Sequence, residues 1–349
     1  MTKPVSLGEL ASRAGVSPAT VSIVLNDRPL ARHVAEKTKE RVLRLAAELN
    51  YRPNHLARAM LEQSTRTIGF ICGDIATPYY AELADELAKA AEERGYRLIT
   101  QPTRWDVEKE FEALEMLLTR AVDGVLMYSM ICESHRARVE GICRAGRPLV
   151  FLGGDRDCGF SSVRFDMLPG MMELVARLNA GGMRDVAVMD DPRFPAKFNA
   201  CRAAGEQYGI VPRRFEFRYG DTASVEACIE RVGRERPELV IVGSDYISAM
   251  TVSRLGQSGI RVPEDISVVT IDGTRWAELY NPPLSAIRQD GKLLARAGMD
   301  ELFRRLKGTA EPRSVVIPTT YRPGRSVKWE NTPEPSDCGS DSISVSFKP

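Results

Sequence analysis

Between about Thr67 and Pro318, short apolar runs alternate with amphipathic helical stretches, and this rhythm restricts the fold more than any other feature of the chain. Strand-like runs stand at Ile68–Cys72, Arg97–Thr100, Gly124–Tyr128 and Leu149–Leu152. A second set follows at Val186–Met189, Leu239–Val242 and Ile266–Ile271. Helical patterns such as Tyr80–Arg94, stopped by Gly95, and Met167–Ala180, stopped near Gly181, lie between them. Glycine just past the last helical residue is the usual left-handed stop. Short apolar runs spaced by helices call for parallel βαβ units. Two successive α/β halves of similar size are expected, with any ligand at the carboxyl ends of the strands.

The first 50 residues follow a different logic. Ser6-Leu7-Gly8-Glu9 fits a capping box, with Ser6 as N-cap and Glu9 three residues on. The helix it opens runs to about Ala14, and Gly15 supplies the turn. Ser17-Pro18 is a second start signal, a serine N-cap before proline at the first helical position, for a helix reaching about Leu25. A third amphipathic helix, about Glu36 to Leu49, covers the pair with Val42, Leu45, Ala46 and Leu49. Two short helices joined by a tight turn are the helix-turn-helix layout, whose second helix lies in the major groove. Helix spacing alone does not separate this layout from a plain three-helix bundle.

Charge is distributed unevenly. The 349 residues carry a net charge of +1, yet Met1–Arg66 holds 11 Lys and Arg against 6 Asp and Glu. A basic N-terminal module on a mildly acidic body is the electrostatic footprint of a DNA-binding head. The 7 cysteines (Cys72, Cys132, Cys143, Cys158, Cys201, Cys228 and Cys338) are scattered without a CxxC pair, and the histidines are His33, His55 and His135. Neither a zinc site nor a disulfide framework is expected from such spacing. No apolar run approaches the roughly 18 residues of a membrane span, and no signal peptide is read at Met1. The expected location is a reducing cytoplasm, with no cofactor and no metal. After Arg325 the composition turns to Ser, Pro, Asp and Glu, and residues 327–349 are expected to be a disordered tail.

The run from Leu7 to Ser22, LGELASRAGVSPATVS, closely resembles the head of the LacI/GalR family of bacterial transcriptional repressors. The run from Leu49 to Met60, LNYRPNHLARAM, is similar to that family's hinge helix, and the likeness continues through Val262–Val269 and Pro282–Ser285. It covers the chain in order from about residue 4 to 326. The resemblance implies an all-α helix-turn-helix head (1–51), a hinge (52–65) and a two-lobed, α/β, periplasmic-binding-protein-like effector domain (66–326). Lobe 1 would take about 66–160 and 290–319, and lobe 2 about 161–287 and 320–326. The implied protein is a dimeric repressor of palindromic double-stranded operator DNA, controlled by a small-molecule effector, a sugar or related metabolite, in the interlobe cleft.

By the same resemblance Pro18, Ala19 and Ile23 occupy base-reading positions. None offers a hydrogen bond to a base edge, so reading there is apolar, for instance against thymine methyls, or depends on DNA shape. Thr20, Ser22, Asn26 and His33 match phosphate-holding positions, and Ser17 starts the recognition helix beside them. In the hinge, Asn54, Ala57 and Arg58 match DNA-contacting positions. Met60 stands where the family places a leucine wedge, and an apolar wedge unstacks and kinks a duplex. A stretch of this length is too short to be stably helical alone.

In the body, Tyr79, Tyr80, Tyr128, Lys197, Asp245 and Asp272 match effector-binding positions. Lys197 stands where the family has a gripping arginine, and its surroundings (Pro192, Phe194 and Pro195) depart from the pattern. Asp155 is the candidate replacement for an aspartate expected after the fourth strand. Lysine lacks the planar fork of arginine and makes no bidentate clamp. More aromatic area and fewer fixed donors argue against a hexose held in the family's usual manner.

An enzyme on the same α/β frame is the rival class, but the chain has no nucleophile elbow, no P-loop and no metal-ligand spacing. An exported solute-binding protein conflicts with the basic helix-turn-helix. A repressor answering to another protein, or to nothing, stays open at this level.

Overall fold

The computed structural model describes residues 5–25, 29–51, 64–119, 122–129, 135–143, 147–153, 160–308, 311–331 and 346–348. The chain forms two compact units, Met1–Thr65 and Arg66–Pro349.

In the first unit α1 spans Leu7–Ala14, α2 Pro18–Leu25 and α3 Glu36–Glu48. The Ser6 hydroxyl accepts the Glu9 amide at 3.1 Å, and Gly15 ends α1 in the left-handed region at φ 61°. Ser17 caps α2 in the same way, its Oγ accepting the Thr20 amide at 3.1 Å. Each such cap satisfies an orphan donor and stabilises its helix by about 1 kcal/mol. Leu10, Ala11 and Ala14 pack on Val21 and Val24 of α2 and on Val42 and Ala46 of α3. The inward face of α2 is thereby consumed, and its other face is left outside the core.

From Arg66 onward strands and helices alternate. The order is β1 Thr67–Cys72, α4 Pro78–Glu92, β2 Arg97–Pro102, α5 Val107–Thr119, β3 Gly124–Tyr128, α6 Arg136–Cys143, β4 Leu149–Leu152 and β5 Ser161–Asp166. Next come α7 Leu168–Ala180, β6 Val186–Asp190, α8 Ala196–Glu206, β7 Arg213–Glu216, α9 Thr222–Glu235, β8 Leu239–Val242, α10 Asp245–Gln257, β9 Ser267–Asp272 and β10 Ser285–Arg288. The last elements are α11 Gly291–Leu306, β11 Ser314–Pro318, β12 Thr320–Arg322 and β13 Ser346–Lys348.

These strands build two sheets. One runs β13-β11-β5-β4-β3-β1-β2, the other β12-β10-β9-β8-β6-β7. All pairs are parallel except β11–β13 and β10–β12. Parallel strands covered by helices on both faces read as unbroken apolar runs, as in fully buried Leu239-Val240-Ile241-Val242. Strand order reverses between β1 and β3 in the first sheet and between β6 and β8 in the second, which are the places where such sheets bind ligands.

The chain passes between the sheets at β5–α7, β10–α11 and β11–β12 before returning to the first sheet at β13, and the residues at the first three passages are tied together. The Thr319 amide and hydroxyl both donate to Asp166 O, at 3.0 and 2.9 Å. The Gly170 amide donates to Thr319 Oγ1 at 3.3 Å, and Gln289 Nε2 lies 3.3 Å from Met167 Sδ. Met167, Gln289 and Thr319 are all buried.

Two expectations need correction. Ser161–Asp166, assigned to lobe 2 from the sequence, is a strand of the lobe 1 sheet between β4 and β11. Its serines disguise it: Ser161 Oγ donates to buried Glu301 at 2.6 Å, and Ser162 Oγ to Ser314 Oγ at 3.0 Å. The stretch expected to be a disordered tail contributes ordered pieces. Val327 is fully buried in the main core, Lys328–Asn331 forms a 3-10 turn, and Ser346–Lys348 pairs antiparallel with β11. The apolar anchor and a Lys328 amide bond to Ser267 Oγ at 3.2 Å outweigh the polar composition there.

Candidate functional site

On α2 the exposed positions are Pro18 and Ala19, with Thr20, Ser22 and Ile23 half-buried. Ser17 Oγ and Thr20 Oγ1 lie 2.9 Å apart, so the hydroxyls at the start of α2 hold one another while one lone pair caps the helix. His33 ends a 3-10 turn over Pro29–His33 and is exposed, with Nε2 accepting from Arg32 Nε at 3.2 Å. Asn26, Asn54, Ala57, Arg58 and Met60 lie outside the described residues.

The second candidate site is a cavity of about 310 Å³ between the two sheets of the larger unit, at the carboxyl ends of β1, β3, β6 and β8. Tyr79 and Tyr80 open α4 directly after Pro78, whose fixed backbone suits the first helical turn. Their rings meet each other and Tyr128 edge to face, at 5.3, 5.8 and 5.1 Å. Gly153 is required beside them, because a Cβ there would stand 2.0 Å from the Tyr128 ring. Burial raises the Tyr79 and Tyr80 hydroxyls well above the ordinary tyrosine range and Tyr128 to about 12, so all three stay neutral donors.

Trp105 extends this wall toward the second lobe. Its ring lies 5.5 Å from Tyr80, 5.8 Å from Phe194 and 4.7 Å from Tyr219. Arg104 and Trp105 both have positive φ, 56° and 64°, a costly conformation for residues with side chains. The strain projects the indole over Gly73, where a Cβ would sit 2.6 Å from the ring.

Lys197, in the first turn of α8, donates to Tyr219 Oη at 3.2 Å and to Gly243 O, and Tyr219 Oη donates to the same carbonyl at 2.9 Å. Asp272 ends β9 with φ 111° and is 6% exposed. Among the described residues its carboxylate accepts one hydrogen bond, a 3.4 Å contact from the Asp245 amide. Burial, reinforced by the charge of Asp245, pushes the Asp272 carboxyl well above the usual range, and Lys197 only partly offsets this.

Asp245, expected to touch effector, is not among the residues that line the cavity. Its carboxylate accepts from Thr270 Oγ1 at 2.8 Å, the Gly273 amide at 3.2 Å, and the Thr274 amide and hydroxyl at 2.8 and 2.6 Å. It clamps the loop after β9 and so sets where Asp272 points. Tyr79, Tyr80, Tyr128, Lys197 and Asp272 do come together on the cavity. Trp105, Tyr219, Met167 and Gln289 also line it and were not anticipated, while Asp155 lies outside the described residues. Tyr219-Gly220-Asp221, just after a strand and before a capped helix, carried a readable signal; Trp105 did not.

Among the described residues no group of His, Cys, Asp and Glu could hold a metal ion, and no helix is long and apolar enough to cross a membrane.

Comparison with known proteins agrees with both domains. Residues 6–54 match the model for bacterial regulatory proteins of the lacI family, and residues 175–327 that for periplasmic binding protein-like domains. The HTH-type transcriptional repressor PurR of Glaesserella parasuis is 30% identical over 324 residues, covering 90% of this chain and 94% of its own. The lactose operon repressor of Escherichia coli is 28% identical over 338 residues, covering 95% and 92%. A lac repressor dimer bound to operator and the anti-inducer ONPF superposes with a TM-score of 0.80 at 26% identity, covering 93% of this chain and 99% of that one. The CelR–cellobiose complex gives a TM-score of 0.64 at 27% identity, covering 92% and 99%. A capped helix-turn-helix, a two-sheet α/β body and matches across nearly the whole length have one reading: this chain belongs to the LacI family of bacterial regulatory proteins, and is a DNA-binding transcriptional regulator with an effector-binding domain, not an enzyme.

Proposed function

We propose that the protein is a repressor that binds a palindromic operator as a homodimer in the cytoplasm, and that a small molecule in the interlobe cavity sets its DNA affinity. The observation that carries this reading is the pairing, in one chain, of a helix-turn-helix with a cavity at the strand-order reversals of two sheets. Pro18, Ala19 and Ile23 read bases through apolar contact. Ser17, Thr20, Ser22, Asn26 and His33 hold phosphates. Asn54, Ala57, Arg58 and Met60 enter the minor groove at the operator centre. The effector contacts are Tyr79, Tyr80, Tyr128, Lys197 and Asp272, with Trp105 and Tyr219 added. A ligand shifts the DNA equilibrium only through its preference for one arrangement of the lobes.

Selection of DNA from a randomised duplex pool tests the reading. An inverted repeat with a flexible pyrimidine–purine step at its centre is the expected product, and its affinity should change when a cavity-binding metabolite is added. Retention without sequence enrichment, lost at moderate salt, would reduce the head to a phosphate binder.

A further inference from the structure

We propose that the interlobe cavity selects a compact organic ammonium ion, held against the rings of Trp105, Tyr80 and Tyr219 with Asp272 as its counter-charge; this rests on reading the cavity as the effector site. A cation over an aromatic face is attracted by the ring quadrupole, most strongly where water is excluded. Lys197 Nζ stands at the hydroxyl edge of the Tyr219 ring, 3.2 Å from Oη and 5.6 Å from the ring centre. That ammonium is directed into Gly243 O and Tyr219 Oη, so it is held by the wall. The other charged residues lining the cavity are Asp74, Asp221 and Asp272, which leaves the lining acidic.

Asp272 is the group that asks for a partner. No cation lies within ion-pair distance of it among the described residues, and the single hydrogen bond to its carboxylate there is long. Glu82, the nearby acid of α4, is paired with Arg275 at 3.2 Å. Asp272 sits amid the aromatic wall: burial raises the pKa of Tyr79, Tyr80, Tyr128 and Tyr219, and the charge of Asp272 adds to each. A buried carboxylate with so few partners is stabilised by a cation or by strong donors. The Tyr79 hydroxyl, buried without a well-aligned hydrogen bond, adds an acceptor for an N–H. The Gln289 amide faces the Met167 sulfur and Lys197 is engaged, so two of the lining donors are already spent.

The test titrates full-length protein with choline and putrescine, with 3,3-dimethyl-1-butanol as the uncharged counterpart of choline, and with glucose, galactose and cellobiose, read by calorimetry and melting temperature. At least one ammonium should bind, and the neutral alcohol should bind at least tenfold more weakly than choline wherever choline binds. Asp272→Asn should lose tenfold or more in ammonium affinity while its own melting remains cooperative. Trp105→Leu should lose affinity that Trp105→Phe keeps. Equal binding of choline and the alcohol, or unchanged ammonium affinity in Asp272→Asn, overturns the inference. Saturation by a sugar with no ammonium binding overturns it and leaves the effector reading intact. Silence from every probe also overturns it, and the effector reading then rests on the operator selection alone.

Discussion

Trp105 of lobe 1 lies stacked on Tyr219 of lobe 2, with ring centres 4.7 Å apart and planes inclined by 22°. This is a contact between lobes, so its strength enters the equilibrium between their arrangements. An aromatic pair contributes about 0.5–1.5 kcal/mol beyond area burial. Trp105→Ala should therefore shift the lobes toward an open arrangement by about 2- to 12-fold. The chain has 3 tryptophans, so comparing emission of the variant with that of the parent isolates the signal of the stacked indole. An emission difference that lacks any salt- or ligand-dependent component would mean the stack does not move.

Asp272→Asn should raise the melting temperature at neutral pH when no ligand is added. The sign follows from linkage: the folded carboxyl has a raised pKa, so its favourable contribution is present below the unfolded value and is lost as pH rises through the folded one. Amide replacement removes that loss. The gap between variant and parent should shrink as pH falls toward 4, and melting curves at several pH values test both halves of the claim.

Asp245→Ala should destabilise the larger unit by about 3 kcal/mol, because four donors on Thr270, Gly273 and Thr274 lose a charged acceptor. Urea midpoints at unchanged slope would show it. If the variant kept full stability and lost only ligand affinity, Asp245 would be a binding residue after all.

Replacing thymine by uracil in an operator half-site should weaken binding about fourfold for each methyl packed by Pro18, Ala19 or Ile23, taking about 0.8 kcal/mol per buried methyl. Titrations of matched duplexes measure this directly. Indifference at every position would move the reading from methyl contact to DNA shape.

Ser17→Ala should lower the stability of the head by about 1 kcal/mol through loss of the α2 cap. Ser17→Asp should preserve the cap yet weaken DNA binding by like-charge repulsion, and the two variants together separate folding from phosphate contact.

Legibility in the sequence tracked locality. Helix α2 was read as Pro18 to about Leu25, where it lies, because its start and its inward valines are coded within eight residues. Strands β1, β3, β4, β6, β8 and β9 stood out as apolar runs, since burial on both faces leaves no polar alternation. Strand β5 escaped because Ser161 and Ser162 are buried by hydrogen bonds to residues about 140 and 152 positions away. The same holds at the cavity. Tyr79 and Tyr80 announce themselves as adjacent aromatics at a helix start, whereas Trp105 sits in a polar turn. Its importance comes from a partner in the other lobe that no local pattern encodes. Asp245 shows a related point: position alone does not say whether a carboxylate faces a ligand or the loop beside it.

At three passages between lobes Gln289 meets Met167 while Thr319 meets Asp166 and Gly170, and Met167 and Gln289 line the cavity. Bodies joined by one strand can swivel freely, while bodies joined by three tied strands keep a single hinge axis. A ligand in this cavity would therefore press directly on the passages about which the lobes turn, through Met167 and Gln289.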